Sequence, residues 1–219
     1  MNAEWSQLNK SMQLQLKKKE TYDSGIETLL ILRRSITERI NELKNTLTLS
    51  DFSAMPFMNA NGYHSKTVAY SLYHVFRIED IVANTLIAKS PQIFFSGNYQ
   101  ERMNSPIITT GNELMKREIS EFSANLDIDE LYRYISDVDK STDELLKRLD
   151  FSDMKTKFTE QDKDNIRSLK VVSENENAVW LIDYWCGKNI QGLLQMPFSR
   201  HWIMHVEAAL RIAEKLRAR

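Results

Sequence analysis

His201 and His205 stand four residues apart in the stretch SRHWIMHVEAAL. On a helix, that spacing projects both imidazoles from one face, one turn apart. It is the arrangement in which two histidines clamp a single metal ion, and it also occurs as two ordinary histidines on a half-buried face. No Glu follows His201 directly, so the metalloprotease pattern His-Glu-x-x-His is absent. A place near a helix start favours the metal reading, because the helix dipole there disfavours imidazolium and neutral imidazole is the ligating form. The other two histidines are His64 and His74, and none lies between His74 and His201. His74 falls among Tyr70, Ile78 and Ile81 in a strongly apolar stretch, where a buried imidazole needs a partner. A metal ion shared with the distant pair would supply one.

The elements that must position these residues are sketched by the chain's breakers. Only 6 Gly and 4 Pro occur in 219 residues, and the stretches 26–55, 63–90, 112–186 and 198–219 hold neither. The third stretch is too long for one helix. No Asn-Gly hairpin sits between alternating strands; Asn61-Gly62 is a flexible approach to His64 instead. The reading is all-α.

Leu29, Leu32, Ile36, Ile40 and Leu43 recur at spacings of three and four and predict a first main helix over 21–47. Residues 2–20 are weakly patterned helix. The second main helix, over 65–88, is apolar around most of its circumference through Val68, Leu72, Val75, Phe76, Ile78, Ile81, Val82 and Leu86. Such a helix is buried on more than one side. Residues 91–126 are the least regular, with a short helix over 112–123, and are long enough to cross a bundle from end to end. Asp127 is the N-cap of the third main helix, whose stripe is Leu131, Ile135, Val138, Leu145 and Leu149. Thr159 and Asp162 resemble a capping box that opens a short helix. Residues 178–194 read as helix broken at Gly187, and Ser199 as the N-cap of a last helix that ends near residue 216. Four main helices with one long crossover make a bundle, in a single domain over 1–219.

Composition removes several function classes. Lys and Arg number 29 against 30 Asp and Glu, a net charge of −1, which exerts no general pull on nucleic acid or an anionic membrane. The run Lys17-Lys18-Lys19 is a solvated face. A single Cys excludes an intramolecular disulfide framework, a Cys-rich zinc site and a C-x-x-C redox pair. Cys186 has only Lys188 nearby to activate it and reads as a small buried hydrophobe. No run approaches the ~20 apolar residues of a membrane-spanning helix. The N-terminus lacks the pattern of a secretory signal, so the expectation is a cytoplasmic protein.

A histidine within SLYHVFRIEDIVANTLI, the pair in MPFSRHWIMHVEAALRIAEKL and the helix DIDELYRYISDVDKSTDELLKRL together resemble the DinB/YfiT-like superfamily of four-helix-bundle metalloenzymes. The resemblance extends over residues 21–216. It implies that His74, His201 and His205 bind a divalent ion, zinc or nickel. It also implies an up-down-down-up bundle, with the long crossover between helices two and three and extra short helices, and a homodimer. Segments 91–126 and 151–195 exceed the compact family pattern. Some relatives are transferases or isomerases that use a low-molecular-weight thiol as cosubstrate, and others are hydrolases. His64 is an alternative first ligand, and otherwise lines the pocket as an acid/base group or lies on the surface; His74 stands ahead of it as ligand because metal sites need rigidly supported ligands.

Other residues carry two readings each. Glu79 pairs with Arg77 or another arginine, or orients a ligand histidine. Arg200 faces solvent at a helix start, or binds an anionic substrate group. Trp180, Tyr184, Trp185 and Trp202 are core aromatics; any that line a cavity would favour a substrate with an apolar part. The functional expectation is a metal-dependent enzyme acting on a small molecule, with the three-His site activating water or a thiol in hydrolase or thiol S-transferase chemistry. The alternative is a non-catalytic, metal-binding or dimerising bundle of stress-response type.

Overall fold

In the computed structural model, which describes residues 2–59 and 64–218, the regular elements are helices. Asn61 and Gly62 lie outside the described residues. Among the described residues there is no strand, only one isolated antiparallel bridge between Lys157 and Asn189. No described helix is long and apolar enough to cross a membrane.

Helix α1 (Ala3–Gln15) is capped by the Asn2 side chain, which accepts from the backbone N–H groups of Glu4 and Trp5. It lies along α2 (Tyr22–Thr46). Gly25 permits that approach: a Cβ there would come within 2.9 Å of Leu16 Cδ2 and 3.0 Å of its backbone nitrogen. After the short α3 (Leu49–Ser53) comes α4 (Val68–Asp80), where the Thr67 hydroxyl accepts from Tyr70 N–H. Every residue of α4 is buried, as its all-round apolar pattern predicts.

Helix α4 does not stay α-helical to its end. Residues Ile81–Ile87 form a π-helical turn, a widening that recurs at functional sites. The crossover then carries the single turns α5 (Ile93–Ser96) and α6 (Tyr99–Arg102) before α7 (Arg117–Asn125). Asp127 caps α8 (Ile128–Arg148) by accepting from Glu130 N–H, as its sequence position predicts. The Thr159–Asp162 capping box opens α9 (Glu160–Ser168). Helices α10 (Trp180–Cys186) and α11 (Ile190–Leu194) flank the break at Gly187.

The last helix, α12 (His201–Arg217), begins differently from the sequence expectation. Ser199 is not its N-cap. A π-helical segment, Met196–Arg200, runs straight into α12, and Gln195 ahead of it is also right-handed helical. The helical run therefore opens at α11, capped by Asn189, whose side chain accepts from Gly192 N–H. Pro197 lacks an N–H and fits the first turn of the π segment, while the buried Ser199 hydroxyl donates to Leu194 C=O.

The four long helices close a ring, with α2 against α12, α12 against α4, α4 against α8, and α8 against α2. Inside it lies a core that includes Leu32, Ile36, Leu72, Phe76, Leu131, Ile135, Trp202 and Val206. A second core, with Leu29, Val82, Leu146, Ile166, Trp185, Leu194 and Phe198, joins segment 151–195 to the π turn and the early part of α2. That segment thus forms a wall over one end of the ring. Each fully buried aliphatic or aromatic side chain contributes roughly 1.5–3 kcal/mol.

Candidate metal centre

His74 comes from the middle of α4, and His201 and His205 from the first turns of α12, so packing α4 against α12 brings the three imidazoles together. His74 Nε2 and His201 Nε2 are 3.2 Å apart. The ring centroids are separated by 5.1 Å (His74–His201), 4.7 Å (His74–His205) and 4.5 Å (His201–His205). One ring nitrogen from each lies within 4.8 Å of the other two, and all three residues are buried. Nitrogens ~2.0–2.1 Å from one ion lie roughly 3.0–3.4 Å apart, so the His74–His201 spacing fits a shared ion. His201 Nδ1 is buried and makes no hydrogen bond among the described residues.

His74 is oriented from behind. Its Nδ1–H donates to the Thr110 carbonyl at 2.8 Å, which leaves the Nε2 lone pair turned toward His201 and His205. A histidine ligand typically has its far nitrogen fixed in this way. Thr110 belongs to the crossover, and one face of α4 pins that stretch through its carbonyls. The Tyr70 hydroxyl donates to Gly111 C=O at 3.0 Å, and the Tyr73 hydroxyl to Ile107 and Thr109 C=O, each at 3.1 Å. Arg77 Nη2 donates to Ile108 C=O at 2.7 Å. Tyr70 also stacks on His74, with the rings 9° from parallel.

Burial sets the protonation of the cluster. It pushes His74 down to about 4, with only partial compensation from the Thr110 carbonyl. Burial, and then the neighbouring imidazoles, hold His201 and His205 well below the ordinary histidine value. All three are neutral at pH 7, the form that binds metal. The helix-dipole reason given by the sequence for a neutral His201 does not apply, since the helical run starts a dozen residues earlier, at α11.

The histidines open into a cavity of about 360 Å³, within the size range of small-molecule sites. Trp180, Leu181, Tyr184 and Trp185 of α10 form one wall, and Lys66, Tyr70 and Asn112 another. Of the four aromatics singled out in the sequence, three therefore line the cavity. Trp202 does not line the cavity and is buried in the core. Its indole N–H donates to Glu79 Oε2 at 2.6 Å, and the Arg33 guanidinium stacks 4.3 Å over its ring. Glu79 takes the arginine-pair role, with a partner on α2: Arg33 grips both carboxylate oxygens, at 3.0 and 2.8 Å. Arg33 also reaches Asp139 and Asp143 on α8. The aligned Arg33 fork was not singled out in the sequence.

Arg200 is exposed and does not line the cavity. His64 is likewise absent from the lining; it packs edge-on to Phe57 and meets Arg211 Nη1 through Nε2 at 2.9 Å. Cys186 is buried beside the α10 wall, and burial pushes its thiol up to about 11, away from thiolate chemistry.

No family model and no curated protein matches the sequence. Among solved structures, the chain is similar to a conserved protein from Enterococcus faecalis, with a TM-score of 0.64 at 13% identity. The match covers 88% of this chain and 97% of the other. At that identity the likeness is one of fold.

Proposed function

We propose that this chain is a divalent-metal-dependent enzyme of the DinB/YfiT-like type that acts on a small molecule. The observation that carries the reading is the convergence of three buried, neutral imidazoles from two helices on one point beneath a cavity. His74, His201 and His205 are the ligands, and zinc or nickel suits three imidazole nitrogens. A divalent ion held by three protein ligands would keep open positions, and there it would lower the pKa of water or of a low-molecular-weight thiol and polarise an electrophile. The chain's own residues do the remaining work. The Thr110 carbonyl fixes the His74 tautomer, Tyr70 covers the His74 ring face, and the α10 aromatics give the substrate an apolar surface. An up-down-down-up course of the four long helices and a homodimer belong to the same reading.

Metal analysis of protein purified without an affinity His-tag tests the site. We expect about one divalent ion per chain, lost in each of His74→Ala, His201→Ala and His205→Ala. Background metal in the wild-type protein would remove the proposal. Turnover with thiols plus electrophiles, or with esters and amides, then assigns the reaction class. Full metal with no turnover in either set leaves a non-catalytic metal-binding bundle.

A further inference from the structure

Lys66 is the cation in the cavity lining, and no carboxylate lines the cavity among the described residues. It stands just ahead of α4, and its ammonium lies 4.9 Å over the Tyr70 ring, which also stacks on His74. Among the described residues Lys66 makes no ion pair. Its charge is near enough to disfavour protonation of both His74 and His205. Partial burial lowers its own pKa, the mark of an ammonium that has lost water without gaining a counter-charge. With a divalent ion on three neutral histidines, the cavity would carry a further uncompensated positive charge. Burying charge without compensation is costly, so such a site favours an anion.

The opposite wall has different chemistry. Trp180, Tyr184 and Trp185 present ring surface, and Pro197 and Ile78 extend it. Flat apolar groups stack on such surfaces.

We propose that the cavity takes a small molecule with a flat apolar body and a carboxylate, that the carboxylate pairs with Lys66, and that the body lies against the α10 aromatics. This deepens the three-histidine reading and rests on it for the orientation of the ligand toward the metal. The Lys66 pairing itself also holds in metal-free protein.

The test uses the full chain, with the tryptophans of the cavity wall as fluorescence reporters. Metal content is measured in parallel. Benzoate and 2-naphthoate are titrated into zinc-loaded and metal-free protein, beside benzamide and 2-naphthamide as neutral counterparts. We expect the carboxylates to bind more tightly than the amides in both forms. In Lys66→Met the carboxylate advantage in metal-free protein should fall by about tenfold, the usual worth of a charge-assisted hydrogen bond. Lys66→Arg should restore most of it, and zinc stoichiometry should stay unchanged in both variants. Equal carboxylate binding by wild type and Lys66→Met in metal-free protein would overturn the Lys66 assignment. Amides that bind as well as carboxylates to the wild type would overturn the anionic substrate class. Absence of zinc binding with a Lys66-dependent carboxylate preference would defeat the metal reading and leave this one standing.

Discussion

The candidate site is built from residues of two kinds, and they differ in how visible they are in a sequence. A histidine pair at a four-residue spacing is rare enough in type to be noticed, and a third histidine in an apolar helix stands out because burial must be compensated. Glu79 is the contrasting case. Its setting in an apolar helix shows that a partner must exist, but Arg33 is 46 residues earlier, and its place on the apolar stripe of α2, four residues after Leu29, marks it as buried without naming its partner. The pairing is decided by how α2 meets α4 and α12, which no local pattern records. The same holds for Lys66, one lysine among many until the fold closes a cavity beside it. The Glu79–Arg33–Trp202 contact makes a residue-scale prediction. Glu79→Ala leaves the fully buried Arg33 guanidinium with Asp139 and Asp143 alone, both more exposed partners, and strands the Trp202 N–H. The loss should be about 3–5 kcal/mol of unfolding free energy, read from the urea midpoint. Glu79→Gln keeps an acceptor for Trp202 and should cost less. A loss below about 1 kcal/mol for the alanine variant would mean that the exposed aspartates suffice for Arg33.

At the scale of elements, the long helices were legible because their apolar periodicity and their caps agree. Asp127 and the Thr159–Asp162 box are local signals, and they act locally in the structure. The start of the last helix was less legible. Ser199 has the residue type of a cap, but the preceding Pro197 and the helical Gln195 let the backbone enter α12 from α11, and the serine hydroxyl is used inside the run. The crossover was legible only as irregular. What organises it is a row of backbone carbonyls, at residues 107–111, received by Tyr70, Tyr73, His74 and Arg77. These side chains share a face of α4 at helical spacing, but every peptide offers the same carbonyl, so the acceptors leave no trace in residue type. The arrangement makes the crossover part of the candidate metal centre. Tyr73→Phe removes two of the carbonyl contacts and touches neither the ligands nor the cavity lining. It should loosen Thr110 and weaken zinc binding by about tenfold, measured by competition with a chromophoric chelator, with helix content unchanged. Unaltered zinc affinity would show that Tyr70 and Arg77 hold the carbonyl without it.

For the molecule as a whole, three neutral histidines buried where α4 meets α12 tie stability to pH. Their folded-state pKa values lie below the unfolded value of about 6.5, so below that pH the unfolded chain binds more protons. Their contribution to the metal-free protein is therefore fully present above about pH 6.5 and is lost as the pH falls through the folded values, about 4 for His74. At about 1.4 kcal/mol per pKa unit, His74 alone accounts for roughly 3 kcal/mol across that window. Burial also raises Glu79 and Asp139, and raised carboxyls act in the opposite direction, gaining stability as the pH falls. The histidine part is isolated by subtracting the curve of a His74→Gln, His201→Gln, His205→Gln triple variant, which keeps the carboxyls. The difference in unfolding free energy, wild type minus variant, should decline steadily from pH 7 to pH 4.5. Parallel curves would mean that the imidazoles gain water or protons in the folded protein and are not held neutral. Zinc gives the same experiment a second arm. At pH 7 and a free concentration of 100 times Kd, it should add about 2.7 kcal/mol to the wild type and nothing to the triple variant. At the same free zinc that increment should shrink toward pH 5, because protons then compete for the three nitrogens the ion needs. An increment that persisted undiminished at pH 5 would point to carboxylate ligands elsewhere on the chain and away from the histidine cluster.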